Sequence, residues 1–148
     1  MKKRLLSFLW LATALLLGSC KSASKEPEPM GKLLDTRWML AQMDETSIAV
    51  SSYADDYTSY LQLTAAGKTA RIRATCNEIG GTFALGAGPG RLTISPQAAT
   101  RISCPVPYLS DRYLAALPQT TRYEIDGTTL RLYDAQAVKP RLVFQAAP

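Results

Sequence analysis

Three cysteines, at positions 20, 76 and 104, are the most reactive side chains in this 148-residue chain, and it contains no histidine. A thiol can carry a lipid, form a disulfide or act as a nucleophile. The last role needs a neighbouring cation or imidazole to hold the thiolate. Without histidine there is no Ser-His-Asp or Cys-His catalysis, no His-ligated zinc and no imidazole pH switch. No CxxC motif places two thiols together. An enzyme would have to work with carboxylates, tyrosines or cysteines alone, and no convergent set of these is visible. No catalytic residue, metal or cofactor is therefore expected.

The other polar clusters have plain readings. The adjacent acids Asp44-Glu45 and Asp55-Asp56 lack calcium-loop spacing and read as solvated loops. Gly86-Ala87-Gly88-Pro89-Gly90 lacks the Lys-Ser/Thr and the strand-loop-helix context of a phosphate cradle, and reads as a turn. Arg71, Arg73, Arg122 and Arg131 fall on outward strand faces, with Glu124 and Asp126 among them. That is a mixed-sign surface, not the basic, aromatic-interleaved stripe of a nucleic-acid binder. Tyr57, Tyr60, Tyr108 and Tyr113 read as core or rim packing, or alternatively as a groove for a peptide or glycan. The Asn77 amide is expected to fix a turn or bulge, with Gly80-Gly81 bending sharply into the next strand. The alternative has Asn77, Glu78 and Arg101 lining a polar ligand site.

The elements that must position these residues begin with an export signal. Lys2, Lys3 and Arg4 precede an uncharged run over 5–17. As a helix this run spans about 20 Å, short of the roughly 30 Å hydrocarbon core, which predicts a signal-peptide core over a membrane span. Leu17-Gly18-Ser19-Cys20 then resembles the bacterial lipobox. That resemblance implies a diacylglyceryl group on the Cys20 thiol, cleavage before Cys20 and acylation of its new amino group. An ordinary signal peptide with a chance cysteine is the competing reading. Residues 21–31, KSASKEPEPMG, cannot bury a core and read as a solvated tether. The expected plan is a signal peptide over 1–19, a lipid-anchored tether over 20–31 and one folded domain over 32–148. Lys and Arg outnumber Asp and Glu by 17 to 12, but three of the 17 lie in the export signal. The basic excess thus belongs mostly to export, and no nucleic-acid partner is expected.

The remainder is short and punctuated. Period-two alternation or turn-bounded apolar runs predict strands over 36–40, 60–64, 70–75, 82–85, 91–94, 121–125, 129–133 and 141–145. Asp126-Gly127 between two alternating runs is a hairpin signal. Residues 108–117 carry Tyr108/Leu109, Tyr113 and Leu117 at helical spacing, with Pro118 stopping the helix. The expected fold is mainly β with one helix (α+β): a small antiparallel barrel or curved sheet.

Several segments then become familiar. Cys76-Asn77-Glu78-Ile79-Gly80-Gly81-Thr82-Phe83 resembles the CN-x-x-x-G-x-aromatic core of the META domain. Thr100-Arg101-Ile102-Ser103-Cys104-Pro105 resembles its T-(R/K)-x-x-C-P segment, with Leu92-Thr93-Ile94 as the short strand between. Thr36-Arg37-Trp38-Met39-Leu40 resembles the opening T-x-W-x-L, Tyr113-Leu114-Ala115-Ala116-Leu117 the helix end, and residues 123–132 the closing hairpin. The resemblance runs from about residue 33 to 146. Two departures stand out. Thr75 occupies a place where the family often has a small residue or Gly, and Asp111 is the one acidic candidate near the helix start.

The resemblance implies a small barrel-like antiparallel fold with a packed helix. The family includes the heat-shock protein HslJ and many envelope lipoproteins, and it has no established catalytic residues. Its implied roles are envelope stress tolerance, antibiotic tolerance, and secretion or motility. The expected protein is a non-enzymatic lipoprotein of the bacterial cell envelope. It is expected at the outer membrane, facing periplasm or surface, held by Cys20 and meeting an envelope protein partner. A small-ligand carrier using the barrel mouth is the alternative. With Cys20 taken by lipid, Cys76 and Cys104 remain as a pair. A disulfide closing 76–104 would be worth about 3.6 kcal/mol by loop entropy. Two buried thiols acting as small hydrophobes are the competing reading.

Overall fold

Alternation of Ala70, Ile72 and Ala74 with Arg71 and Arg73 requires a strand with one wet face. In a computed structural model of the protein, which describes residues 33–48, 58–100, 102–103 and 107–147, those three apolar residues are buried. They belong to β4 (Thr69–Ala74). The expected signal and tether segments over 1–31, together with Tyr57, Asp55-Asp56, Arg101 and Cys104, lie outside the described residues.

The strands are β1 (Arg37–Met43), β2 (Thr46–Ser47), β3 (Tyr60–Thr64), β4, β5 (Asn77–Leu85), β6 (Leu92–Ala99), β7 (Arg122–Asp126), β8 (Thr129–Tyr133) and β9 (Leu142–Ala146). All pairings are antiparallel, in the order β6-β5-β4-β3-β1-β9-β8-β7, with β2 beside β1. The sheet curls until its two ends meet at one corner. There the Tyr123 N–H donates to Gly90 O at 2.8 Å, and the Leu92 N–H donates to Thr121 O at 3.3 Å. One helix, α1 (Pro107–Ala116), continues into a 3-10 turn over Leu117–Gln119 that packs against β6. The barrel-like α+β architecture expected above is thus observed.

Two bulges curve the sheet. Leu40 pairs with Phe144 and Gln42 with Val143, so Ala41 is extra in β1. The bulge moves the inward parity, and Trp38, Leu40 and then Met43 are all buried. The second bulge corrects an expectation. Gly80-Gly81 is not a bend ahead of a strand over 82–85 but lies inside β5, opposite an extra residue, Gln97, in β6. A Cβ on Gly81 would sit 2.6 Å from Ser95 O, so the neighbouring backbone occupies the space a side chain would need.

The helix face also differs from expectation. Ser110, Tyr113, Ala116 and Leu117 are buried, whereas Tyr108 is 68% exposed. The helix is fixed by polar contacts to strand ends. Ser110 Oγ donates to Ala74 O at 3.2 Å, and the Tyr113 hydroxyl donates to Tyr60 O at 3.1 Å. These rotate Tyr108 out to solvent.

Burial pushes the Tyr113 phenol well above its usual range, with Tyr60 adding to the effect. Burial also raises Tyr123, and burial with the Glu124 hydrogen bond raises Tyr133. Such groups favour the folded state while they stay protonated. Stability is therefore fully present below the unfolded tyrosine value of about 10 and is lost as pH rises beyond it. The denaturant midpoint is expected to hold up to about pH 10 and to fall above it as the unfolded chain ionises. Tyr113→Phe should flatten that fall. An unchanged midpoint would contradict this packing.

Candidate functional site

Of the residues singled out around Cys76, the structure describes Asn77 and Glu78 beside it, while Arg101 and Cys104 lie outside the described residues. Thr75 and Cys76 form the two-residue turn between β4 and β5. Thr75 is buried with φ +55°, a conformation that β-branched residues rarely adopt. Its N–H bonds to Ser59 Oγ at 3.0 Å, and its carbonyl accepts from Arg73 Nε at 3.2 Å. The left-handed turn accounts for the Gly preference that Thr75 breaks. Thr75→Gly removes about 1–2 kcal/mol of strain and adds about 0.5–1 kcal/mol of unfolded-chain entropy. It is expected to hold or slightly raise the urea midpoint despite losing a buried side chain, while Thr75→Val should lower it.

The Asn77 amide lies 4.0 Å from Cys76 Sγ in its own turn and also reaches well beyond it. It clamps a segment more than twenty positions away. Its Oδ1 accepts the Ile102 N–H at 2.8 Å and the Thr100 hydroxyl at 3.2 Å, and its Nδ2 donates to Ile102 O at 3.1 Å. The Thr100 hydroxyl also accepts the Glu78 N–H at 3.0 Å. Cys76 is disulfide-bonded, and its Sγ lies 3.9 Å from Ile102 O. The stretch that Asn77 clamps therefore also lies against the Cys76 sulfur. Asn77→Ala is expected to cost about 1–2 kcal/mol in urea unfolding and to speed exchange of the Ile102 amide. Unchanged exchange there would contradict the clamp.

Of the residues in the ligand-site alternative, Asn77 bonds the Ile102 backbone and the Thr100 hydroxyl, and exposed Glu78 faces Arg71 at 3.4 Å. Tyr60 and Tyr113 are core residues, so with Tyr108 they do not line a common groove. Of the outward arginines, Arg122 pairs with Glu124 at 3.0 Å and Arg131 with Asp126 at 3.7 Å. The Arg122 guanidinium also stacks 3.7 Å over Tyr133, whose hydroxyl donates to Glu124 at 2.7 Å.

A second cluster escaped sequence reasoning. Asp44 meets Arg112 of α1 at 2.5 Å and Arg141 at 3.3 Å, the latter a charge contact without hydrogen-bond alignment. Arg141 also faces Asp134 at 3.8 Å, and Glu45 pairs with Lys139. The hydrogen bonds to Asp44 and Glu45 raise the Arg112 and Lys139 pKa values further. Asp44-Glu45 is therefore no free solvated loop. It joins the β1-β2 turn to the helix and to the β8-β9 connection around an open cleft of about 270 Å³. Among the described residues, no group of three His, Cys, Asp or Glu could hold a metal ion.

A family model for the META domain matches residues 31–148. The chain belongs to the META domain family. A META domain here accounts for the motif positions physically: Trp38 fills the core, Gly81 admits the β6 backbone, and Asn77 clamps the segment after β6. An NMR structure of a protein from Burkholderia xenovorans is similar at a TM-score of 0.61 and 24% identity, over 99% of each chain. Another NMR structure matches at 0.54 and 19%, over 78% of this chain and 92% of that one. A crystal structure of a DUF4847 family protein from Bacteroides vulgatus matches at 0.51 and 14%, over 80% of this chain and 95% of that one. At these identities the likeness is one of fold. No curated protein matches the chain.

Proposed function

We propose that this protein is a lipid-anchored component of the bacterial cell envelope. Its META domain serves as a non-enzymatic binding or structural module in envelope stress or antibiotic tolerance. The observation that carries the reading is the disulfide at Cys76, because structural disulfides belong to oxidising, exported compartments. With Cys104 as its partner, Cys20 is left as the thiol for the acyl chains. More than one chain on that residue would hold the protein stably, since a single chain binds only marginally.

The module reading is supported over the carrier by what fills the barrel. Trp38, Tyr113, Phe144, Leu61 and Ile72 are fully buried in one cluster, and side chains occupy the space a ligand would take. The absence of histidine from the chain and the mutual pairing of Asp44, Glu45, Asp134 and Glu124 with cations support a non-catalytic role. Crosslinking the anchored protein in intact cells and identifying the adducts tests the reading. It is expected to return an envelope protein. Recovery of lipid adducts alone would overturn the binding role.

A further inference from the structure

We infer that the META domain stands on the membrane with one defined end down: the end carrying the turns 65–68, 86–90 and 127–128 faces the lipid, and the helix-bearing end points away. This rests on the lipid-anchor reading. The two ends of the barrel are distinct. The described chain begins at the turn end, where the Asp35 N–H donates to Leu63 O and Leu34 pairs with Leu63, ahead of β1. The same end holds the Ala147 N–H bonded to Arg37 O and the Ala146 N–H bonded to Thr128 O. The opposite end holds the Asp44-Glu45 turn, the Thr75-Cys76 turn, the Asn77 clamp and the 134–141 connection.

Leu33 follows Cys20 by about a dozen residues, and a tether of the composition of residues 21–31 has a mean reach of about 20 Å. The seven residues of β1 alone cover roughly 23 Å. An inverted domain would therefore ask the tether to span the barrel's own length as well as its standoff, and it would lose most of its conformational freedom. The surfaces agree with this. The turn end offers Ala66, Lys68, Ala87 and Thr128 beside exposed Asp35 and Asp126, a small and polar surface that suits contact with headgroups and not insertion. The large apolar side chains left exposed among the described residues, Ile102, Tyr108 and Val138, are all at the far end. There the ion-paired Asp44, Glu45, Arg112 and Lys139 lie between Tyr108 and Val138 and oppose burial in lipid.

The test uses full-length lipidated protein in phosphatidylethanolamine/phosphatidylglycerol vesicles containing a headgroup-labelled energy-transfer acceptor. Fluorophores are placed through A66C or A87C at the turn end and through Q136C or V138C at the helix end, all exposed positions. Transfer from the turn-end pair is expected to be at least about twofold stronger, given the length of the barrel. Equal or stronger transfer from positions 136 and 138 in protein that floats with the vesicles overturns the orientation alone. Protein that fails to float overturns the anchor and the orientation with it.

Discussion

Replacing Trp38 with alanine is expected to cost the domain about 3–5 kcal/mol. The side chain is 1% exposed and sits among the residues of the single core cluster. Its indole N–H also donates to Leu33 O at 3.0 Å, tying the start of the domain to β1. Truncation leaves a large cavity and an unpaired buried carbonyl together. Against a typical total of about 5–15 kcal/mol, this is enough to bring much of the population to unfolding near growth temperature. Trp38→Phe should lie between, since it keeps most of the volume and loses only the hydrogen bond. Chemical denaturation with far-UV circular dichroism reads both variants. A loss below about 1 kcal/mol for alanine would contradict the packing described here.

Cys76→Ser is expected to be the other large loss. With Cys104 as partner the closed segment gives about 3.6 kcal/mol by loop entropy, and the variant also loosens the stretch that Asn77 clamps. Cys104→Ser should lose the same amount, and the double variant should lose little more than either alone. Cys20→Ser should leave the domain's unfolding unchanged. Reductant should bring the native protein down to the level of the Cys76 variant. If Cys104→Ser were as stable as the native protein, Cys104 could not be the partner.

The elements that were plain in the sequence are those whose signals are local. The alternation around Ile72 and the Asp126-Gly127 hairpin needed only neighbours in the chain. Gly127 takes φ +58° in the turn that the dipeptide announces. The misplaced features all depend on distant partners. Gly80-Gly81 looked like a bend because nothing nearby reveals that the Ser95 backbone would crowd a side chain at Gly81. Tyr108 lies five positions before Tyr113, about 140° round the helix, so when Tyr113 points inward to Tyr60 O it is Leu109 that shares its side and Tyr108 faces solvent. Asn77 was expected to fix a turn or bulge, but its target at Ile102 follows the neighbouring strand β6, more than twenty positions on. Asp44 and Glu45 resembled a solvated loop because Arg112, Lys139 and Arg141 are remote in sequence, and only β1–β9 pairing and helix docking gather them. Surface pairs of this kind contribute little individually, which leaves a weak signature in composition. The lipobox resemblance supplies an expectation of where the protein resides, whereas the identity of a partner has no local signal at all.

The central claim is that Cys20 carries the lipid while Cys76 and Cys104 carry the disulfide. Intact-mass spectrometry of the protein extracted from bacterial membranes under non-reducing conditions, with a thiol-reactive tag added, tests it most directly. The predicted species starts at Cys20, bears a diacylglyceryl group and an acyl chain on that residue, and takes up no tag until reductant exposes two thiols. A species that retains residues 1–19, or a cleaved chain with an unmodified Cys20 that takes up the tag before reduction, would contradict it.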